Sequence, residues 1–146
     1  MNIDGKVIVI TGAARGIGQE YARYLGGLGA RIVAADINDC SSTLDLVKAE
    51  SGTAVGAKLD VASAASAMDV ARAAVDAFGR IDALINNAAL YGALKGGRFD
   101  TIKMNQAIPR NLESADLVGT VHWLVSDASR LVTGQTIAVD GGTVMH

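Results

Sequence analysis

The segment Thr11-Gly12-Ala13-Ala14-Arg15-Gly16-Ile17-Gly18 spaces its glycines as G-x-x-x-G-x-G, between a β-branched apolar run and a helical pattern. Small residues at a strand-to-helix junction permit a tight turn. They also let a pyrophosphate approach the backbone N–H groups at the helix N-terminus. The spacing is not the general G-x-G-x-x-G, and a Gly-rich turn that binds nothing has the same composition. Its place after a first strand and before a helix favours a dinucleotide. Gly12, Arg15, Gly16, Ile17 and Gly18 are then the contacting residues.

Asp36 follows Gly18 by eighteen residues and ends a second apolar run. An acid about 20 residues beyond such a turn accepts from an adenosine ribose 2′-OH. The same carboxylate repels a 2′-phosphate, so NAD is expected over NADP. Arg15 argues the other way, because a guanidinium pairs with that phosphate; alternatively it only faces solvent. An ordinary strand-end acid is the plainer reading of Asp36. Asp60 and Val61 close a third run, where a carboxylate can meet an adenine amino group and Val61 the ring edge. Asp60 fits equally a helix N-terminal acid facing the dipole. Asn86-Asn87-Ala88-Ala89 closes a fourth run, and Asn87 is placed to bridge strands and touch the adenosine half.

These stations need a scaffold that brings strand ends together. Short apolar runs at 6–11, 31–36, 54–60 and 81–86 alternate with helical patterns at 17–28, 41 or 42 to 50, 63–78 and 114–125. Ser63 is a candidate N-cap. Tyr21, Leu25 and Leu28 share one face of the first helix, which Gly29 ends. Strands without polar alternation, joined by helices, predict a parallel sheet with helices on both faces. Gln135–Val139 is expected as a terminal strand beyond the fourth.

Composition limits the alternatives. The 146 residues suit one domain, and with only 4% aromatics the core must be built from Ala, Val, Ile and Leu. A net charge of -2 gives no footprint for nucleic acid or an anionic membrane. The single Cys40 excludes a disulfide framework or Cys-based zinc site, and two separated histidines exclude a His-rich metal site. Apolar runs too short to span a bilayer, and no signal pattern, lead to an expected cytoplasmic location. His122 and Trp123 read as packing or subunit contacts, Met104 and Met145 as gap-fillers, and Cys40 as unreactive.

Together, Thr11–Gly18, Asp36, Asp60 and Asn86–Ala89 resemble the motifs of the short-chain dehydrogenase/reductase family, with Ala89 where that family usually has Gly. Val132–Gly142 looks like its closing strand, and Ser114–Ser129 like the helix before it. The resemblance implies a doubly wound, Rossmann-like sheet of order 3-2-1-4 within a single domain over 1–146. It also implies hydride transfer between NAD(H) and a secondary alcohol or ketone. Family members use a Ser to hold the substrate oxygen, a Tyr as acid/base, and a Lys four residues on that lowers the Tyr pKa. That catalytic middle, on the order of 100 residues, is missing, so the domain is shortened and the family register breaks near Asp100–Lys103.

Tyr91 and Lys95 satisfy Y-x-x-x-K, but the glycines at 92, 96 and 97 argue for loop rather than a helix. The catalytic set is therefore left empty. The expected protein is an NAD(H)-dependent oxidoreductase acting on a small alcohol or ketone. The alternatives are a catalytically inactive NAD(H)-binding deletion product or pseudoenzyme, and a purely structural module that leaves the turn unexplained. An exposed edge strand and the family's use of its last helix and strand predict a homo-oligomer.

Overall fold

The computed structural model describes residues 1–89, 103–104 and 106–143. Four strands, β1 (Val7–Thr11), β2 (Arg31–Asp36), β3 (Thr53–Lys58) and β4 (Ala83–Ile85), form one parallel sheet of order β3-β2-β1-β4. Helices α1 (Gly16–Gly27), α2 (Ser41–Ala49) and α3 (Ala64–Phe78) follow the first three strands, and α4 (Ser114–Val125) lies near the C-terminus.

The period-2 geometry of the central strands sorts their side chains into two cores. Ile8, Ile10, Ile32 and Ala34 pack with Tyr21 and Leu25 of α1, Val47 of α2 and Val118 of α4. Val7, Val9, Val33 and Ala35 face Val70 and Ala74 of α3 on the other side. Helices therefore cover both faces, as the run of apolar strands requires. The second face is covered less completely, since Leu84 on β4 is 56% exposed. Asp82 sets the register of β4: its N–H donates to the Val7 carbonyl at 2.9 Å, and its carboxylate accepts from the Val7 N–H at 2.9 Å.

Helix boundaries follow local chemistry. The Ser63 hydroxyl accepts from the Ser66 N–H at 3.2 Å, and Gly79 closes α3 at φ 81°. Ser63→Ala should cost about 1 kcal/mol, read as a lower midpoint in urea unfolding with an unchanged slope. Glu113 and Asp116 form a reciprocal capping box on α4, and Arg110 grips Asp116 at 2.5 Å. This guanidinium holds the Asp116 carboxyl at about 2. Lys6 donates to the last carbonyl of α4, Val125, at 3.2 Å and pairs with Asp127 at 2.6 Å. A cation at a helix C-terminus is favourably placed.

His122 lies 2.9 Å from the Met1 carbonyl oxygen and meets the Tyr24 ring edge-on, so it packs within the chain. Leu28 sits past the end of α1 and is 40% exposed rather than on the buried face. Met104 is exposed and fills no gap; Met145 lies outside the described residues.

The terminal strand is not formed. Residues 135–138 are exposed and carry no strand, and the sheet ends at β4 among the described residues. A strand needs a neighbour's backbone as partner. Here the chain beyond α4 is instead held to residues 106–108: Ile108 N–H donates to the Gly141 carbonyl at 2.9 Å, and Gln106 to the Asp140 carbonyl at 3.1 Å. Two further boundaries move. β3 stops at Lys58, so Asp60 lies in the loop before α3, and β4 spans only Ala83–Ile85, so Asn86 and Asn87 follow it.

Candidate cofactor-binding site

Parallel strands all deliver their C-terminal ends to one edge, which is where an open α/β sheet binds ligands. There the Gly-rich turn joins Thr11 of β1 to Gly16 of α1. The first turn of a helix has N–H groups without intrahelical partners. No side chain caps α1 at Arg15, and no acid stands in its first turn. Gly16 has φ 64°, and a Cβ built there meets nothing within 4 Å, so the turn's backbone is open to an approaching group. An anion fits this place: uncapped N–H groups, a favourable dipole and the exposed Arg15 side chain.

Gly18 has the opposite surroundings. A Cβ there would lie 2.3 Å from the Gly12 carbonyl oxygen and 2.6 Å from Asn87 Nδ2. The first turn of α1 therefore rests directly on the backbone of the turn. Ile17, beside it, is 41% exposed.

The end of β4 clamps the turn from one side. Asn87 Nδ2 donates to the Thr11 carbonyl at 2.9 Å and the Gly12 carbonyl at 3.2 Å. Thr11 Oγ1 accepts from the Asn87 and Ala88 N–H groups, each at 3.0 Å. Asn87 thus ties the end of β4 to the turn after β1, with its amide nitrogen on protein carbonyls.

Asp36 is buried and joins the turn to the loop after β2. One oxygen accepts from the Ala14 N–H at 3.0 Å; the other accepts from the Asn38 N–H at 2.9 Å and Asn38 Nδ2 at 3.1 Å. Burial pushes its pKa up, but these hydrogen bonds prevail and hold it below the ordinary carboxylate value. It is an ionised acceptor at neutral pH. Beside it opens a cleft of about 500 Å³ lined by Ile37, Asn38, Ser41 and Lys58.

Asp60 stands apart from this network. It is exposed, and its carboxylate accepts from the Ala62 N–H at 2.9 Å in a local turn. Val61, 64% exposed, lines a separate apolar hollow of about 230 Å³ with Thr11, Leu84 and Asn86. Gln19 and Thr43, absent from the sequence reading, do touch the turn: Gln19 Nε2 donates to the Ala14 carbonyl at 3.2 Å, and Thr43 Oγ1 to the Ala13 carbonyl at 2.7 Å. A polar residue in the first turn of a helix usually reads as a cap, so no sequence signal separates them.

Cys40 is buried, and burial, with Asp36 and Asp39 nearby, pushes its thiol up to about 11, so it stays protonated and unreactive. Tyr91 and Lys95 lie outside the described residues. Among the described residues no acid, His or Cys cluster could hold a metal ion, and no helix is long and apolar enough to cross a membrane.

Comparison with known proteins agrees with this architecture. The family described as short chain dehydrogenase matches residues 6–133. An uncharacterized oxidoreductase of Mycobacterium tuberculosis is 47% identical over 94 residues, covering 63% of this chain and 38% of the relative. Galactitol 2-dehydrogenase of Agrobacterium fabrum is 41% identical over 91 residues, covering 62% and 35%. The chain thus spans under two fifths of the length of these curated relatives. A blue fluorescent protein from a metagenomic library, solved in complex with NADPH, shares the fold at TM-score 0.87 and 19% identity, with 99% of this chain and 100% of that chain covered.

Proposed function

Since this chain belongs to the short chain dehydrogenase family, we propose that it binds NAD(H) and serves an oxidoreductase that moves hydride between the nicotinamide and a secondary alcohol or ketone. One observation carries this reading: the ionised Asp36 is tied to the Gly-rich turn through the Ala14 N–H. A group that recognises a ribose and a backbone that recognises a pyrophosphate are thereby held as one unit.

In this reading the first turn of α1, from Gly16 to Gly18, takes the phosphates, with Arg15 adding positive charge. Asp36 accepts from the ribose hydroxyls and repels a 2′-phosphate. Gly12 and Asn87 shape the turn, while Asp60 and Val61 lie toward the adenine. The bound nicotinamide supplies the hydride acceptor or donor, and the protein holds and orients it.

A second reading, NAD(H) binding without turnover, rests on where the described tyrosines lie. Tyr21 and Tyr24 both belong to α1: the first is buried with its phenol pushed up, and the second packs against His122. Neither is placed to move a proton at the turn.

NADH fluorescence titration of the 146-residue chain tests the common part. NADH should bind, with NADPH at least about tenfold weaker, which is one charge repulsion's worth at partial exposure. Absence of NADH binding would sink both readings. Alcohol-dependent NADH production then separates the oxidoreductase from the binding protein.

A further inference from the structure

Three side chains, Thr43, Asp36 and Gln19, hold the peptide planes of the Gly-rich turn. Thr43, in the first turn of α2, is fully buried, and its hydroxyl donates to the Ala13 carbonyl at 2.7 Å. The Ala14 N–H, the other polar end of that peptide unit, donates to Asp36 at 3.0 Å. In a trans peptide the C=O and N–H point in opposite directions. Thr43 and Asp36 therefore grip one peptide plane from both ends.

Gln19, on α1, fixes the next plane. Its Nε2 reaches the Ala14 carbonyl at 3.2 Å, Ser42 Oγ at 3.1 Å and Thr43 Oγ1 at 3.0 Å. Two N–H bonds serve three acceptors, and Gln19 and Thr43 share one of the contacts. With the Ala14 carbonyl drawn inward, the Arg15 N–H of the same plane points the other way. A flip of that plane would present a carbonyl where an anion is to bind.

We propose that Gln19 and Thr43 are positioning residues for the cofactor's pyrophosphate: they lock the peptide planes 13–14 and 14–15, so that the Ala14 N–H stays on Asp36 and the Arg15 N–H faces the phosphates. The inference rests on the NAD(H) reading above. It implies a selective defect: loosened planes cost affinity for a ligand with phosphates, while Asp36, still held by the Asn38 N–H and Nδ2, keeps its place for the adenosine ribose.

The experiment compares ADP-ribose, by isothermal titration calorimetry, with adenosine, by chemical-shift titration, on the 146-residue chain. Thr43→Val strands a buried carbonyl and should weaken ADP-ribose about tenfold. Gln19→Leu, at a half-buried position that spares the core, should weaken it about fivefold. Adenosine affinity should change by less than about twofold in both, and Thr43→Ser should restore ADP-ribose binding. The double variant should lose less than the product of the single losses, since the two side chains share a hydrogen bond.

Variants that bind ADP-ribose like the wild type, or that lose adenosine in equal measure, overturn the positioning role. Failure of the wild type to bind ADP-ribose overturns the NAD(H) reading itself, before any substitution is made.

Discussion

Gly18→Ala should weaken NADH binding by about a hundredfold or more and lower the melting temperature by about 5 °C. The added Cβ falls 2.3 Å from the Gly12 carbonyl oxygen and 2.6 Å from Asn87 Nδ2, inside a 3.2 Å hydrogen bond between those two groups. A methyl has no rotamer with which to escape. Either α1 lifts from the turn or the Asn87 clamp opens, and both displace the N–H groups meant for phosphate. Overpacking of this kind typically costs about 1–3 kcal/mol. NADH fluorescence and a thermal melt on the same preparation measure both effects, and a variant that binds within about threefold of wild type would contradict the role of the turn. Gly16→Ala is the contrasting substitution, because its Cβ meets no protein atom and only the positive φ resists it.

The second large effect concerns Asp36. Asp36→Asn removes the charge while keeping one oxygen for the Ala14 N–H. It should shift the NADH-to-NADPH preference toward NADPH by about tenfold or more. Asp36→Ala should in addition destabilise the fold, because the Ala14 and Asn38 donors lose their acceptor. The pH dependence follows from the lowered pKa. Hydrogen bonds to the ionised carboxylate stabilise the folded chain above the ordinary carboxylate value, and that stabilisation is lost as the pH falls through the lower folded value. The stability gap between wild type and Asp36→Asn should therefore be full at neutral pH and shrink in acid. Urea titrations at several pH values measure it, and a gap that widens in acid would refute this account of Asp36.

Much of the fold was legible because its signals are local. Alternating apolar runs and helical patterns predict the parallel sheet, and the expected bounds of β2 and α4 coincide with those found. Ser63 marks the start of α3 because a cap acts through a neighbour three residues away. The Gly-rich turn and Asp36 were legible for a different reason: glycine spacing and an acid at a strand end are what the proposed dinucleotide would require.

The misreadings share one cause. Gln135–Val139 has the composition of a strand, but strand formation depends on a partner that composition does not supply, and its flanking residues bond to 106–108 instead. Asp60 was placed at a strand end from a run of residues, while its contacts set it in the loop that enters α3.

By itself the sequence determined the type of the four sheet strands and of the helices between them and the spacing of glycines at the turn, since periodicity, capping and glycine spacing are properties of short stretches; the strand order came from the family resemblance. Only the tertiary structure decided which groups hold that chemistry in place. Thr43 is thirty residues from Ala13, and Asn87 seventy-six from Thr11. Such hydrogen bonds exist only once the crossover helices have brought the strand ends to a common edge.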